Sequence, residues 1–321
     1  MGIGWCKSAW KDKIGTSGEI NLILINLLKD AGIKVRPILV STRENGIIIT
    51  SVAGYDQFDK VMAYVDIADK HYVLDATEQE TPSHLIPLNV QASEGLLISK
   101  LDNFEWGWTV LWNDKNKFAK AVFINADLDS KGKMSGIAKV TSYDYEKMKD
   151  LKDYRKGTDK LKELKITQAG LTVDSLTVEG ADVDSLPLVQ EFKFTAPTNS
   201  SGDYNYFSLN YFTGFEKNPF LSEERRTEIF YGALQDYSIS ALVYLPEGYV
   251  MDELPPNMKM ITSDSSIIFK RYVSQGDGFL NVQVTLKFKN PIYSVEAYPE
   301  INEFFKKMYA LLDEKFVYKK K

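Results

Sequence analysis

Side chains able to attack a carbonyl or shuttle a proton near neutral pH are scarce in this chain, which has one cysteine, Cys6, and two histidines, His71 and His84. The position best placed for nucleophilic chemistry carries a serine. Thr16 followed three residues later by Glu19 is a capping box, which makes Thr16 an N-cap and Ser17 the first residue of a helix. Unpaired N–H groups and the positive end of the helix dipole favour negative charge at such a position and lower the pKa of a thiol. A cysteine at 17 would be an activated nucleophile; a serine hydroxyl needs a base beside it. Cys6 precedes this element with no helix-start signal ahead of it and is expected to be a free, buried or half-buried thiol. His71 opens a strand four positions before Asp75, and His84 sits in the loop Pro82–Pro87. Neither is expected to serve as the base.

The elements that would position Ser17 follow directly. From Ser17 the apolar residues Ile20, Leu22, Ile23, Leu24, Ile25, Leu27 and Leu28 cover nearly every face until Gly32 stops the helix, the pattern of a helix enclosed by other elements. Val35–Val40 reads as the next strand. Asn45-Gly46 marks a turn, and residues 61–67 and 72–75 read as strands joined by the short connection Ala68-Asp69-Lys70. Gly95–Ile98 reads as another strand. Trp106, Trp108 and Trp112 form an aromatic cluster expected to pack a sheet face or an interdomain contact.

Three of these blocks together resemble the transglutaminase-like superfamily, which shares the papain-like Cys-His-Asp geometry. The first is Gly15-Thr16-Ser17-Gly18-Glu19 opening an apolar helix, then Ala31-Gly32-Ile33 and a strand; the second is Phe58–Val65; the third is His71–Thr77. The resemblance implies that Ser17 stands at the nucleophile position, Lys60 at the general-base position and Asp75 at the orienting carboxylate, so only the last is retained. An imidazole accepts a proton near neutral pH and returns it to the leaving group, whereas Ser–Lys chemistry requires a desolvated, neutral lysine. A degenerate triad is expected. The family domain carries helices ahead of this motif, so the N-terminal domain is expected to be truncated. The organisation also resembles a Bacteroidetes family in which a transglutaminase-like domain is flanked by β-rich domains of unknown function. Asn218-Pro219-Phe220, Glu223–Arg226 and Tyr244–Tyr249 look like its third domain. That resemblance implies export to the periplasm or cell surface.

The fold expected is α+β: a transglutaminase-like (papain-like) domain over residues 1–113, then an antiparallel β-sandwich over 114–321 with a charged insertion at 145–165 and a C-terminal helix at 299–314. The charged insertion is helix-compatible, with a partial apolar stripe of Met148, Leu151, Tyr154, Leu161 and Leu164 expected to pack on a sheet, and its charge run reads as a solvated face. Alternating or β-branched stretches at Lys117–Asp127, Gly136–Tyr143, Leu171–Glu179, Leu188–Thr195, Tyr204–Tyr211, Thr227–Phe230, Tyr237–Tyr244, Ser266–Val273 and Leu280–Phe288 supply the strands. A 44% apolar and 12% aromatic composition supports a sizeable core, and the net charge of −5 with both signs interspersed argues against a nucleic-acid partner. No apolar run is long enough to span a bilayer. No metal or dinucleotide motif is present, so no cofactor is expected. The function expected is a catalytically inactive scaffold or binding module for a protein, peptide or cell-envelope ligand, its oligomeric state open. Acyl transfer at Ser17 and carbohydrate binding by the tyrosine-rich β half are the alternatives.

Overall fold

The structure, a computed structural model, describes residues 3–52, 54–100, 105–158, 170–215 and 217–321. The side chains of Trp5 and Cys6 and the second half of the charged insertion lie outside the described residues. The chain divides into two compact units, Met1–Asn116 and Lys117–Lys321. Its character is α+β, with sheets dominant.

The first unit opens with helices α1 (Ile3–Asp12) and α2 (Ser17–Asp30). Strands β1 (Lys34–Val40), β2 (Lys60–Ile67), β3 (Lys70–Leu74), β4 (Ser93–Lys100) and β5 (Glu105–Leu111) form an antiparallel sheet of order β3-β2-β1-β4-β5. Side chains along β2 alternate between two clusters, as the pleat requires. Ala63 and Val65 pack with Val35 and Ile25 of α2, while Met62 and Tyr64 join Ile38 and Val40 on the other face. That second cluster takes in Val73 from one edge strand and Leu111 from the other, so the sheet curls toward closure.

The α2 boundaries follow the local signals. Glu19 N–H donates to Thr16 Oγ1 at 3.3 Å, Thr16 N–H donates to the Glu19 carboxylate at 2.7 Å, and Gly32 ends the helix at φ +76°. The expectation of an enclosed helix is corrected. Only Asn21 and Ile25 are buried, and Leu22 and Leu27 are 39% and 48% exposed, because α2 lies on β1 and β2 with one face and leaves another to solvent.

In the second unit, β6 (Lys117–Leu128), β7 (Lys133–Tyr143), β8 (Thr172–Glu179), β9 (Leu188–Pro197), β13 (Leu234–Tyr244), β15 (Met258–Ile261), β16 (Ile267–Gly276) and β17 (Phe279–Phe288) form an eight-stranded sheet of order β15-β16-β17-β13-β6-β7-β9-β8. A four-stranded sheet, β10-β11-β19-β14, is built from β10 (Asn199–Ser201), β11 (Tyr204–Phe207), β14 (Tyr249–Met251) and β19 (Phe316–Lys320), and β12 (Ile229–Phe230) pairs with β18 (Ile292–Tyr293). Phe207, Met251 and Tyr318 of the smaller sheet share one core with Phe192, Phe269 and Phe288 of the larger. The sheets are not wholly antiparallel, because β13 runs parallel to β6 from Leu234↔Lys117 to Tyr244↔Asp127. The strand expected over Tyr204–Tyr211 ends at Phe207.

The C-terminal helix, here α4 after α3 (Asp144–Tyr154), spans Tyr298–Asp313 and buries Ile301, Phe304, Phe305 and Met308 in that core. Asn302 Nδ2 donates to the carbonyls of Phe220 and Ser222 at 3.1 and 2.8 Å. Buried Arg271 donates to the Leu311 carbonyl at 2.8 Å, holding the last turn of α4 to β16.

Candidate functional site

The start of α2 and the strands β2 and β3 bring the residues of interest to one end of the first unit. Lys60 is the first residue of β2, and Asp75 follows the last residue of β3. Asp59, just ahead of Lys60, is fixed by Thr42, whose N–H and hydroxyl donate to its two carboxylate oxygens at 2.7 and 2.5 Å.

Lys60 and Asp75 form a salt bridge, with side chains 10% and 0% exposed. The carboxylate is divided between two sets of donors. Its Oδ2 faces the Lys60 ammonium, while Oδ1 accepts from Asn21 Nδ2 at 2.9 Å, Thr77 N–H at 3.0 Å and the Thr77 hydroxyl at 2.6 Å. Burial pushes the Asp75 pKa up, but the bonds from Lys60, Thr77 and Asn21 outweigh it and hold the carboxyl below the usual aspartate range. Asn21, fully buried on α2, also accepts the Ala76 N–H at 2.8 Å and so rivets the helix to the end of β3.

Asn21 was missed in sequence because it stands as one polar residue within an apolar helix; its spacing from Ser17 was the available signal. Residues i and i+4 share a helix face, so Ser17 lies one turn from Asn21 on the side that meets Asp75. The Gly18 position lies close to Val61, since a Cβ there would fall 3.9 Å from Val61 Cγ1. Among the described residues, the Ser17 hydroxyl makes no hydrogen bond to Lys60 or Asp75. The structure thus pairs two of the three expected positions and leaves the serine beside them.

His71 is held at the other end of β3: its Nδ1 meets Asp66 Oδ1 at 2.6 Å and its ring stacks on Tyr64. Asp66 also receives Arg36 at 2.7 Å and Lys34 at 3.5 Å. Its pKa is lowered: burial opposes the shift, but His71, Arg36 and Lys34 outweigh it.

A second polar cluster lies in the second unit and corrects the expectation of a solvated charge run. Lys120 of β6 reaches Glu146 at 2.7 Å and Asp150 at 3.1 Å on α3, Ser142 donates to Asp150 at 2.5 Å, and Lys120, Glu146 and Asp150 are all buried. Burial works against the Lys120 charge, but Asp150 and Glu146 carry its pKa above the ordinary value. Lys147, also buried, donates to the carbonyls of Gly180, Val183 and Leu186 at 2.9, 2.7 and 2.8 Å, a tethered ammonium that organises the loop before β9. Among the described residues no cluster of three or more His, Cys, Asp or Glu side chains could hold a metal ion, and no helix is long and apolar enough to cross a membrane.

Residues 203–318 match a family described as "Domain of Unknown Function with solved-structure structure (DUF3858)". That span holds the three stretches of the second unit that resemble the third domain of the Bacteroidetes family. No curated protein matches the chain. Among solved structures, the chain is similar to a crystal structure from Parabacteroides distasonis described as a "putative protease", with a TM-score of 0.54, 11% identity and 98% of this chain covered. The likeness is one of fold. The chain spans 46% of that protein's length.

Proposed function

We propose that the first unit is a transglutaminase-like domain whose catalytic positions have been replaced, and that the protein works as a protein- or peptide-binding scaffold. The observation that carries this reading is the commitment of Lys60 to Asp75. A general base needs a free lone pair within reach of the nucleophile, whereas the Lys60 ammonium is engaged by a buried carboxylate and the Ser17 hydroxyl has no bond to it. The Asp75 constellation instead acts as a joint between α2, β2 and the turn after β3. The fold likeness to a protein described as a "putative protease" supports a protease-like scaffold.

A fluorophosphonate probe, which labels only activated serines, tests this on the full chain with Ser17→Ala as the control. Equal background labelling of both proteins is expected. Labelling lost specifically in Ser17→Ala overturns the reading in favour of acyl transfer at Ser17.

A further inference from the structure

Curling of the five-stranded sheet brings its two edges to the same opening. A cleft of about 450 Å³ lies there, lined by Tyr72 and Val73 of β3, by Thr109–Leu111 of β5 and by Ser83–Ile86, with Tyr64 and Trp112 as aromatic wall. That volume falls in the range of ligand sites, roughly 300–1,000 Å³.

The backbone chemistry of the walls selects the class of ligand. A two-residue turn, Ala68-Asp69, joins β2 to β3, so Ile67↔Lys70 is the hydrogen-bonded pair. Alternation then places Val65↔Tyr72 and Ala63↔Leu74 in the ladder and turns the N–H and C=O groups of His71 and Val73 away from β2. Across the cleft, β5 is bonded to β4 on one side only. Val110 is 66% exposed on that edge, where natural sheets place charge, proline or a bulge to discourage pairing. Both histidines of the chain are among its lining residues, His71 with its Nδ1 already on the Asp66 carboxylate.

We propose that this cleft receives an extended peptide, added as a strand to β3. Its main chain pairs with His71 and Val73, and its apolar side chains lie against Tyr64, Trp112 and Val110. Strand addition takes its affinity from main-chain bonds and its specificity from the pockets for alternate side chains. The partner class rests on the binding-module reading, but the site uses none of Ser17, Lys60 or Asp75.

The test is hydrogen exchange by NMR on the full chain with acetyl-Val-Glu-Val-Thr-Val-amide as probe at millimolar concentration. Exchange at the His71 and Val73 amides is expected to slow, resonances of Thr109–Leu111 to shift, and a probe N-methylated at alternate amides to do neither. His71→Pro removes one outward N–H while sparing the ladder to β2, and is expected to weaken binding about tenfold, the equivalent of ~1.4 kcal/mol; His71→Asn keeps the amide and most of the affinity. Ser17→Ala should bind like the parent. The proposal is overturned if saturating probe leaves both amides unprotected, if the methylated probe protects them equally, or if no binding is detected. Binding lost in Ser17→Ala but kept in His71→Pro overturns it too, while preserving the binding-module reading at the other site. The fluorophosphonate assay judges that reading independently.

Discussion

Removing either partner of the Lys60–Asp75 pair tests the joint at its centre. Breaking a buried ion pair by deleting one member costs about 3–5 kcal/mol, because the other is left uncompensated. Lys60→Met should sit at the lower end, about 3 kcal/mol, since Asp75 keeps the three donors on Oδ1 supplied by Asn21 and Thr77. Asp75→Asn should cost somewhat more, about 4 kcal/mol, because it strands the Lys60 ammonium and weakens three charge-assisted bonds together. The double variant should recover about 2 kcal/mol of coupling.

All five tryptophans fall at or before Trp112, so their fluorescence follows the first unit. In urea, with a slope of ~2 kcal/mol/M, Lys60→Met should lower the midpoint by roughly 1.5 M. The pH dependence has a definite sign. Asp75 has a lower pKa folded than unfolded, so its stabilisation is complete above the unfolded value of ~3.9 and is lost as pH falls through the folded value. The gap between wild type and Asp75→Asn should therefore hold from pH 7 to about 5 and close in more acidic solution. Single-variant costs below about 1 kcal/mol, or a coupling near zero, would refute a buried joint.

Two further substitutions probe packing and the tethered ammonium. Ile25→Ala, at a buried position of α2, should destabilise the first unit by about 2–5 kcal/mol, whereas Leu27→Ala, half exposed on the same helix, should cost less than about 1 kcal/mol; equal losses by tryptophan fluorescence would mean the helix is enclosed after all. Lys147→Met should leave the carbonyls of Gly180, Val183 and Leu186 without their donor and speed proteolysis within residues 180–187 while leaving the tryptophan transition unchanged. Unaltered cleavage there would show that the loop holds its shape without the lysine.

Features decided within a few residues were legible in the sequence. The Thr16–Glu19 box and the Gly32 stop place α2, and alternation through β6, β9 and β17 marks strands, because cap and pleat act locally. The proximity of Lys60 and Asp75 was expected only through the family resemblance, and their direct pairing was not. Asn21 could not be interpreted because its two partners, Asp75 and Ala76, arrive from the far end of a hairpin. The burial of Glu146, Lys147 and Asp150 was hidden for the same reason: a charged helix reads as solvated until another strand supplies Lys120 and a distant loop supplies carbonyls. Hydrophobicity alone also overstated the cover on α2, since apolar content sets how much surface can be buried, not how many neighbours arrive to bury it.

The parallel pairing of β13 with β6 has a kinetic consequence. On either side of that seam the large sheet is antiparallel, β6-β7-β9-β8 within residues 117–197 and β13-β17-β16-β15 within residues 234–288, so each half gathers its strands from one continuous segment. The seam joins strands far apart in the chain, and loop-closure entropy makes such a contact slow to form. Folding of the second unit is thus set to proceed as two antiparallel halves followed by one slow docking step, and substitutions along Val122, Ile124, Ile239 and Ala241 should change the rate of that step more than the formation of either half.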